Sequence, residues 1–195
     1  MNTTWPPSPA VPTATRRGRR ATALGLAALA LMLAGCATPT PQQYAAERPV
    51  LDLKTYFNGR LVAHGMFQDR FGHVRRRFIV EMSAQWQGRD GVLDERFTYG
   101  DGATERRVWR LTDLGDGRYE GRADDVVGTA QGVAAGNALN WRYTLALPVD
   151  GRVWEVQFDD WMFLIDERTM LNRATMRKWG IRLGEVTLSF TRLDP

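Results

Sequence analysis

The chain has 195 residues, of which 44% are apolar, and carries a formal charge of +4. That length accommodates one domain with a real core and no comfortable second one. The excess charge sits in Arg16, Arg17, Arg19 and Arg20; without those four, 22 basic residues face 22 acidic ones, and the argument for a nucleic-acid partner disappears.

Those arginines open the first recognisable element. They precede an apolar run from Ala21 to Ala34, too short to span a bilayer comfortably, and small residues lead into Leu33-Ala34-Gly35-Cys36. A basic stretch, a short apolar stretch and a small-residue cleavage site make a secretory leader. This is the pattern of a bacterial lipoprotein signal peptide over residues 1–35. In such leaders the thiol of Cys36 receives a diacylglyceryl group, and cleavage leaves Cys36 as the new N-terminus. Cys36 is the only cysteine, so no disulfide framework exists and packing must hold the domain together. Two or more acyl chains on Cys36 would hold the protein on a membrane, whereas one binds marginally. Ala37, not Asp, follows the cysteine. The expected place is therefore the inner leaflet of the outer membrane, facing the periplasm. Thr15-Arg16-Arg17 resembles a twin-arginine export signal, but the hydrophobic residues that should follow the pair are absent. Residues 36–50, with Pro39, Pro41 and Pro49 and no periodicity, read as a lipidated tether.

Residues 51–195 read as a single domain. Asp52 to Phe57 suggests a helical turn. From about residue 58 the pattern alternates with a period of two. Val74, Arg76, Phe78, Val80, Met82, Ala84 and Trp86 share one face of a strand. Leu139, Trp141, Tyr143, Leu145 and Leu147 share another, and Trp154, Val156, Phe158, Asp160, Met162 and Leu164 a third. Phe71-Gly72, Gly88-Arg89-Asp90-Gly91, Gly100-Asp101-Gly102, Gly115-Asp116-Gly117 and Asp150-Gly151 supply turns at hairpin spacing. Gly136-Asn137 and Asp166-Glu167 are weaker turn signals. Arg168 to Lys178 is read as a strand. In the last strand the phase slips at Gly184-Glu185, the mark of a β-bulge. The predicted fold is all-β: an antiparallel up-and-down meander of about eight to ten strands, closed into a barrel so that no edge is exposed.

No HExxH, CxxC, G-x-S-x-G, phosphate-binding loop or dinucleotide fingerprint occurs, and no cofactor is implied. His64 and His73 flank a turn, and two histidines do not complete a metal site. The informative residues are polar ones in phase with the apolar faces: Arg76, Glu95, Arg107, Asp160 and Asn172. Buried charge must pair or meet a polar ligand. One reading is an internal salt-bridge network that holds strand register. Another is a polar floor in an apolar cavity walled by Trp141 and Tyr143, with arginine gripping an acidic head. A third uses Glu95 and Asp160 for acid–base chemistry. Trp161 falls on the opposite, outward face, either as a membrane-interface contact or packed beneath a loop.

Several blocks resemble one family. They are Phe57-Asn58-Gly59, Gly65-Met66-Phe67-Gln68-Asp69-Arg70, Arg106-Arg107-Val108-Trp109 and Ala123-Asp124-Asp125-Val126-Val127-Gly128. They continue through Gly136-Asn137-Ala138, Asn140-Trp141-Arg142-Tyr143-Thr144-Leu145, Phe158-Asp159-Asp160-Trp161-Met162, Asn172-Arg173-Ala174-Thr175-Met176 and Gly180-Ile181-Arg182-Leu183-Gly184-Glu185-Val186. From about Phe57 to Leu193 the chain resembles a family of bacterial lipoproteins, domain-of-unknown-function family three-eight-three-three. Trp179 stands where phenylalanine is expected. The resemblance implies a lipocalin-like barrel in the cell envelope and supplies no activity. The expectation drawn from both lines is a non-enzymatic barrel that binds a lipid, fatty acid or other amphiphile, with Arg76 and Arg107 on its acidic head. The alternatives are an enzyme using Glu95 or Asp160 on a lipid-like substrate, and a solid structural or assembly protein acting through Asp124, Asp125 and Trp161.

Overall fold

The two-residue alternation becomes ten strands. They are β1 (Gly59–Asp69), β2 (Val74–Gln87), β3 (Asp90–Tyr99), β4 (Thr104–Gly115), β5 (Arg118–Arg122), β6 (Ala130–Ala135), β7 (Ala138–Val149), β8 (Arg152–Leu164), β9 (Thr169–Lys178) and β10 (Ile181–Arg192). Each pairs antiparallel with the next, and β10 pairs back onto β1 from Leu61↔Arg192 to Asp69↔Gly184, so the meander closes into a lipocalin-like barrel. The structure, a computed structural model, describes residues 38–149 and 151–193. Cys36 and the leader over residues 1–35 lie outside the described residues.

Alternation sets which side chains are enclosed. Val80, Met82 and Ala84 of β2, Leu139, Trp141 and Leu145 of β7, and Val156, Phe158 and Asp160 of β8 are all buried, while their sequence neighbours are mostly more exposed. Enclosed aromatics need room, and glycines opposite them provide it. Gly65 pairs with Phe78, Gly91 with Trp86 and Gly132 with Trp141. A Cβ at Gly65 would come within 2.7 Å of the Phe78 ring, and one at Gly91 within 2.6 Å of Trp86. Each ring covers a glycine across the ladder, so three positions of weak strand propensity are shielded by their neighbours.

The register shifts between Arg182 and Gly184, beside the phase slip at Gly184-Glu185, with a second shift opposite it between Phe67 and Gln68. Together they bend the seam where β1 meets β10, as closure requires.

One end of the barrel is plugged. Helix α1 (Leu53–Tyr56) starts at Asp52, whose carboxylate accepts from the Thr55 N–H at 2.7 Å. Leu53, Tyr56 and Phe57 are buried in the core. Trp86 donates from its indole N–H to the Phe57 carbonyl at 2.7 Å, and the Tyr56 hydroxyl donates to the Arg168 carbonyl at 3.1 Å. The segment before it corrects the tether reading. From Thr40 onward the chain lies on the barrel: Pro41–Tyr44 form a 3-10 helix, and Pro41 is buried. Tyr44 packs edge-on against Phe163 at 5.0 Å and Trp161 at 6.1 Å, and the Leu51 N–H donates to the Gly136 carbonyl at 2.8 Å. An aperiodic, proline-rich stretch gives no sign of this docking, because its anchors are Pro41, one tyrosine ring and backbone hydrogen bonds. Trp161 is thereby covered from outside and is not a bare outward tryptophan.

The five hairpins β1–β2, β3–β4, β5–β6, β7–β8 and β9–β10 turn at the other end of the barrel, which α1 leaves open.

Candidate functional site

The barrel is hollow. A cavity of about 620 Å³ runs from Leu53 and Phe57 at the plug to Arg76, Val149 and Trp154 at the far rim. That volume falls within the range of roughly 300–1,000 Å³ usual for small-molecule sites. The wall is mostly apolar and aromatic. Trp141 meets Trp109 edge-on at 5.8 Å, and Tyr143 stacks on Phe158 at 5.0 Å. All seven residues singled out on the alternating faces, Arg76, Glu95, Arg107, Trp141, Tyr143, Asp160 and Asn172, line this one cavity. A solid barrel does not fit this interior.

The polar residues form two groups. In the first, Arg107 is clasped by carboxylates. It donates from Nε and Nη2 to Asp125 at 2.9 and 2.7 Å, and lies 3.6 Å from Glu105 and 3.9 Å from Glu95. Burial works against its charge, but the hydrogen bonds to Asp125 and the field of Glu95 hold its pKa above the ordinary value. Glu95 also accepts from the Trp109 indole at 3.2 Å. Burial pushes the Glu95 carboxyl up to about 7, with Arg107 opposing the rise. With three acids around it, Arg107 has no charge to spare for an acidic head group.

In the second group, Asp160 accepts from the Tyr143 hydroxyl at 3.3 Å through one oxygen. Its other oxygen is buried with no protein partner, and so is the side-chain oxygen of Asn172. Burial drives the Asp160 carboxyl up to about 8, a shift that the Tyr143 hydrogen bond only partly offsets. Near neutral pH this group is largely a neutral acid, able to donate as well as accept. Both residues line the mostly apolar cavity, so its wall includes two polar side chains whose hydrogen-bonding capacity the protein leaves unfilled.

Arg76 stands apart at the open rim. Its guanidinium stacks over Tyr99 at 3.7 Å and meets Asp101 at 3.2 Å, both in reach of solvent. Among the described residues no group of three or more His, Cys, Asp or Glu is placed to hold a metal ion. His73 instead lies 3.4 Å from Asp69 beside the first hairpin.

Asp125 was the residue missed as a cavity partner. It sits in the aperiodic loop between β5 and β6, which the alternation cannot orient, and the folded loop turns it to Arg107 rather than to the outer surface. Glu105 and Tyr99 are hydrogen-bonded at 2.7 Å and also line the cavity. Their phase with Arg107 and Phe97 would have revealed them.

The barrel is similar in fold to the S-type phycobiliprotein lyase CPES from Guillardia theta. The likeness has a TM-score of 0.57 at 5% identity and covers 80% of this chain and 99% of that one. A structure from Nostoc punctiforme, of unknown function and from the DUF3598 family, gives a TM-score of 0.47 at 14% identity, covering 76% of this chain and 51% of that one. No curated protein matches the chain. A family model matches residues 30–192, and the chain belongs to that family, described as Protein of unknown function (DUF3833).

Proposed function

We propose that the barrel binds one elongated hydrophobic or amphiphilic molecule, of the fatty-acid or phospholipid-fragment class. The observation that carries this reading is the 620 Å³ cavity, mostly apolar, whose wall includes Asp160 and Asn172, each with a buried side-chain oxygen that has no protein partner. Deep in the barrel, the neutral Asp160 carboxyl and the Asn172 amide suit an uncharged hydrogen-bonding group. An acidic head group finds its cation at the rim, on Arg76. In this proposal the chain acts as a lipoprotein held through Cys36 in the outer membrane and facing the periplasm.

The test is organic extraction of the purified full chain followed by mass spectrometry. An amphiphile is expected near one equivalent from the wild type. It should be lost from Ala174→Trp, because Ala174 is buried on the cavity wall and an indole there fills the space. A wild type that yields nothing, or a variant that yields as much, removes the proposal.

A second reading has its own observation. Glu95 and Asp160 both titrate near neutrality beside open volume, the condition for acid–base chemistry on a lipid-like substrate. Asp160→Asn distinguishes the two: a binding protein keeps its ligand, whereas an enzyme accumulates unconverted substrate in the same extract.

A further inference from the structure

The open rim is divided. Going round the barrel, the tips of β7–β8, β9–β10 and β1–β2 are adjacent, and the tips of β3–β4 and β5–β6 complete the circle. The first three carry exposed apolar side chains. Phe71 is 70% exposed in β1–β2, Val153 70% in β7–β8, and Trp179 80% in β9–β10, with Ile181 beside it. Basic residues intersperse them: Arg70 and Arg75, Arg152, then Arg177, Lys178 and Arg182, against Asp69, Glu155 and Glu185, with Arg75 paired to Asp69 and Arg182 to Glu185. The other two tips carry Asp101, Asp124 and Asp125, with Val127 as their single large exposed apolar residue.

Trp179 is the most telling of these residues. It and Gly180 form the β9–β10 turn with φ of 52° and 77°. Positive φ at both positions suits Asn-Gly or Gly-Gly, and an aromatic L-residue there is strained. The fold gains no burial in return, since the indole stands in solvent. Lys178 Nζ lies 4.5 Å from the Trp154 ring and 4.8 Å from Trp179, so cation and aromatics share one patch. Trp154 also lines the cavity, and the patch is continuous with its mouth.

We propose that this half of the rim docks onto an anionic lipid surface, placing the cavity mouth against the membrane. Aromatic rings flanked by Lys and Arg suit the headgroup region, where rings bury and cations meet phosphate. The other half of the rim holds Asp124 and the ion-paired Asp101 and Asp125 and presents a single large exposed apolar residue, so the barrel docks tilted. The inference goes beyond the cavity reading and stands whether or not the cavity is occupied.

The test replaces Trp179, Val153 or, on the outer wall, Ile79 by photoreactive benzoylphenylalanine in the full chain. Each variant is irradiated with vesicles of phosphatidylglycerol and phosphatidylethanolamine. A leader or acyl anchor tethers all three variants alike, so only the site of labelling reports docking. Lipid adducts are expected at 179 and 153, several-fold above those at 79, rising with phosphatidylglycerol and falling with salt. With the probe in place of Phe71, Trp179→Ser combined with Val153→Ser should lower the adduct yield at least about threefold. Equal labelling at all sites, no lipid adduct at 179 and 153, protein crosslinks as the main product there, or an unchanged yield in the double variant would each overturn the proposal.

Discussion

Asp160 shows how one buried acid couples the cavity to pH. Its folded pKa, about 8, lies above the ordinary value of 3.8 because burial disfavours the charge. Between those values the native state holds a proton that the unfolded chain releases. Stability therefore falls as pH rises from about 4 to about 8, then levels off. Glu95, raised to about 7, adds to the slope in the same direction. Asp160→Asn keeps an acceptor for Tyr143 and removes the titration. At pH 8.5 it should stabilise the ligand-free protein by at least about 1 kcal/mol, a few degrees in Tm. Near pH 4 it should change little. Thermal melts at the two pH values check this, and an equal effect at both would rule out the titration. The acids on the apolar faces were legible because their phase alone set which side they faced. What Arg107 does was not legible: its tightest partner, Asp125, is half-buried in a loop with no periodic order, and only the folded geometry brings the two within 2.7 Å.

At the scale of the strand, the glycine–aromatic pairs carry more than their propensities suggest. Trp141 lies against the backbone of both Gly121 and Gly132, and a Cβ at either would press into its ring. Gly132→Ala should destabilise the protein by about 2 kcal/mol, as overpacking does, although alanine is otherwise the better strand residue. Gly151→Ala serves as a contrast: a Cβ there meets nothing within 4 Å, but its φ of 74° is strained for alanine. A denaturant melt should show the Gly132 variant losing stability through contact and the Gly151 variant through backbone strain alone. Combining Gly132→Ala with Trp141→Leu should recover part of the loss only in the first case. The strands, their turns and the kink near Gly184 were legible because period and turn chemistry are local. The docking of residues 40–50 was not, because one ring against Trp161 and Phe163 leaves no repeating trace in a sequence.

Across the whole molecule, closure and hollowness have different origins. Closure follows from an even series of antiparallel strands joined by short turns, with both seam strands long enough to pair over nine positions from Leu61 to Asp69. Hollowness depends on strand number and on how far large side chains reach across the lumen. Alternation and turns bracket the first and cannot supply the second, so a hollow barrel and a solid one share the same sequence pattern. The plug and the open rim also give the barrel a direction. With Leu53 and Phe57 sealing one end, the cavity among the described residues opens at the other, bordered by Trp154 and Val149. If that doorway rests on a bilayer, hand-over proceeds by collision with the acceptor and never through bulk water. Donor-to-acceptor transfer would then speed up in proportion to vesicle concentration, whereas escape through solvent would proceed at one fixed rate.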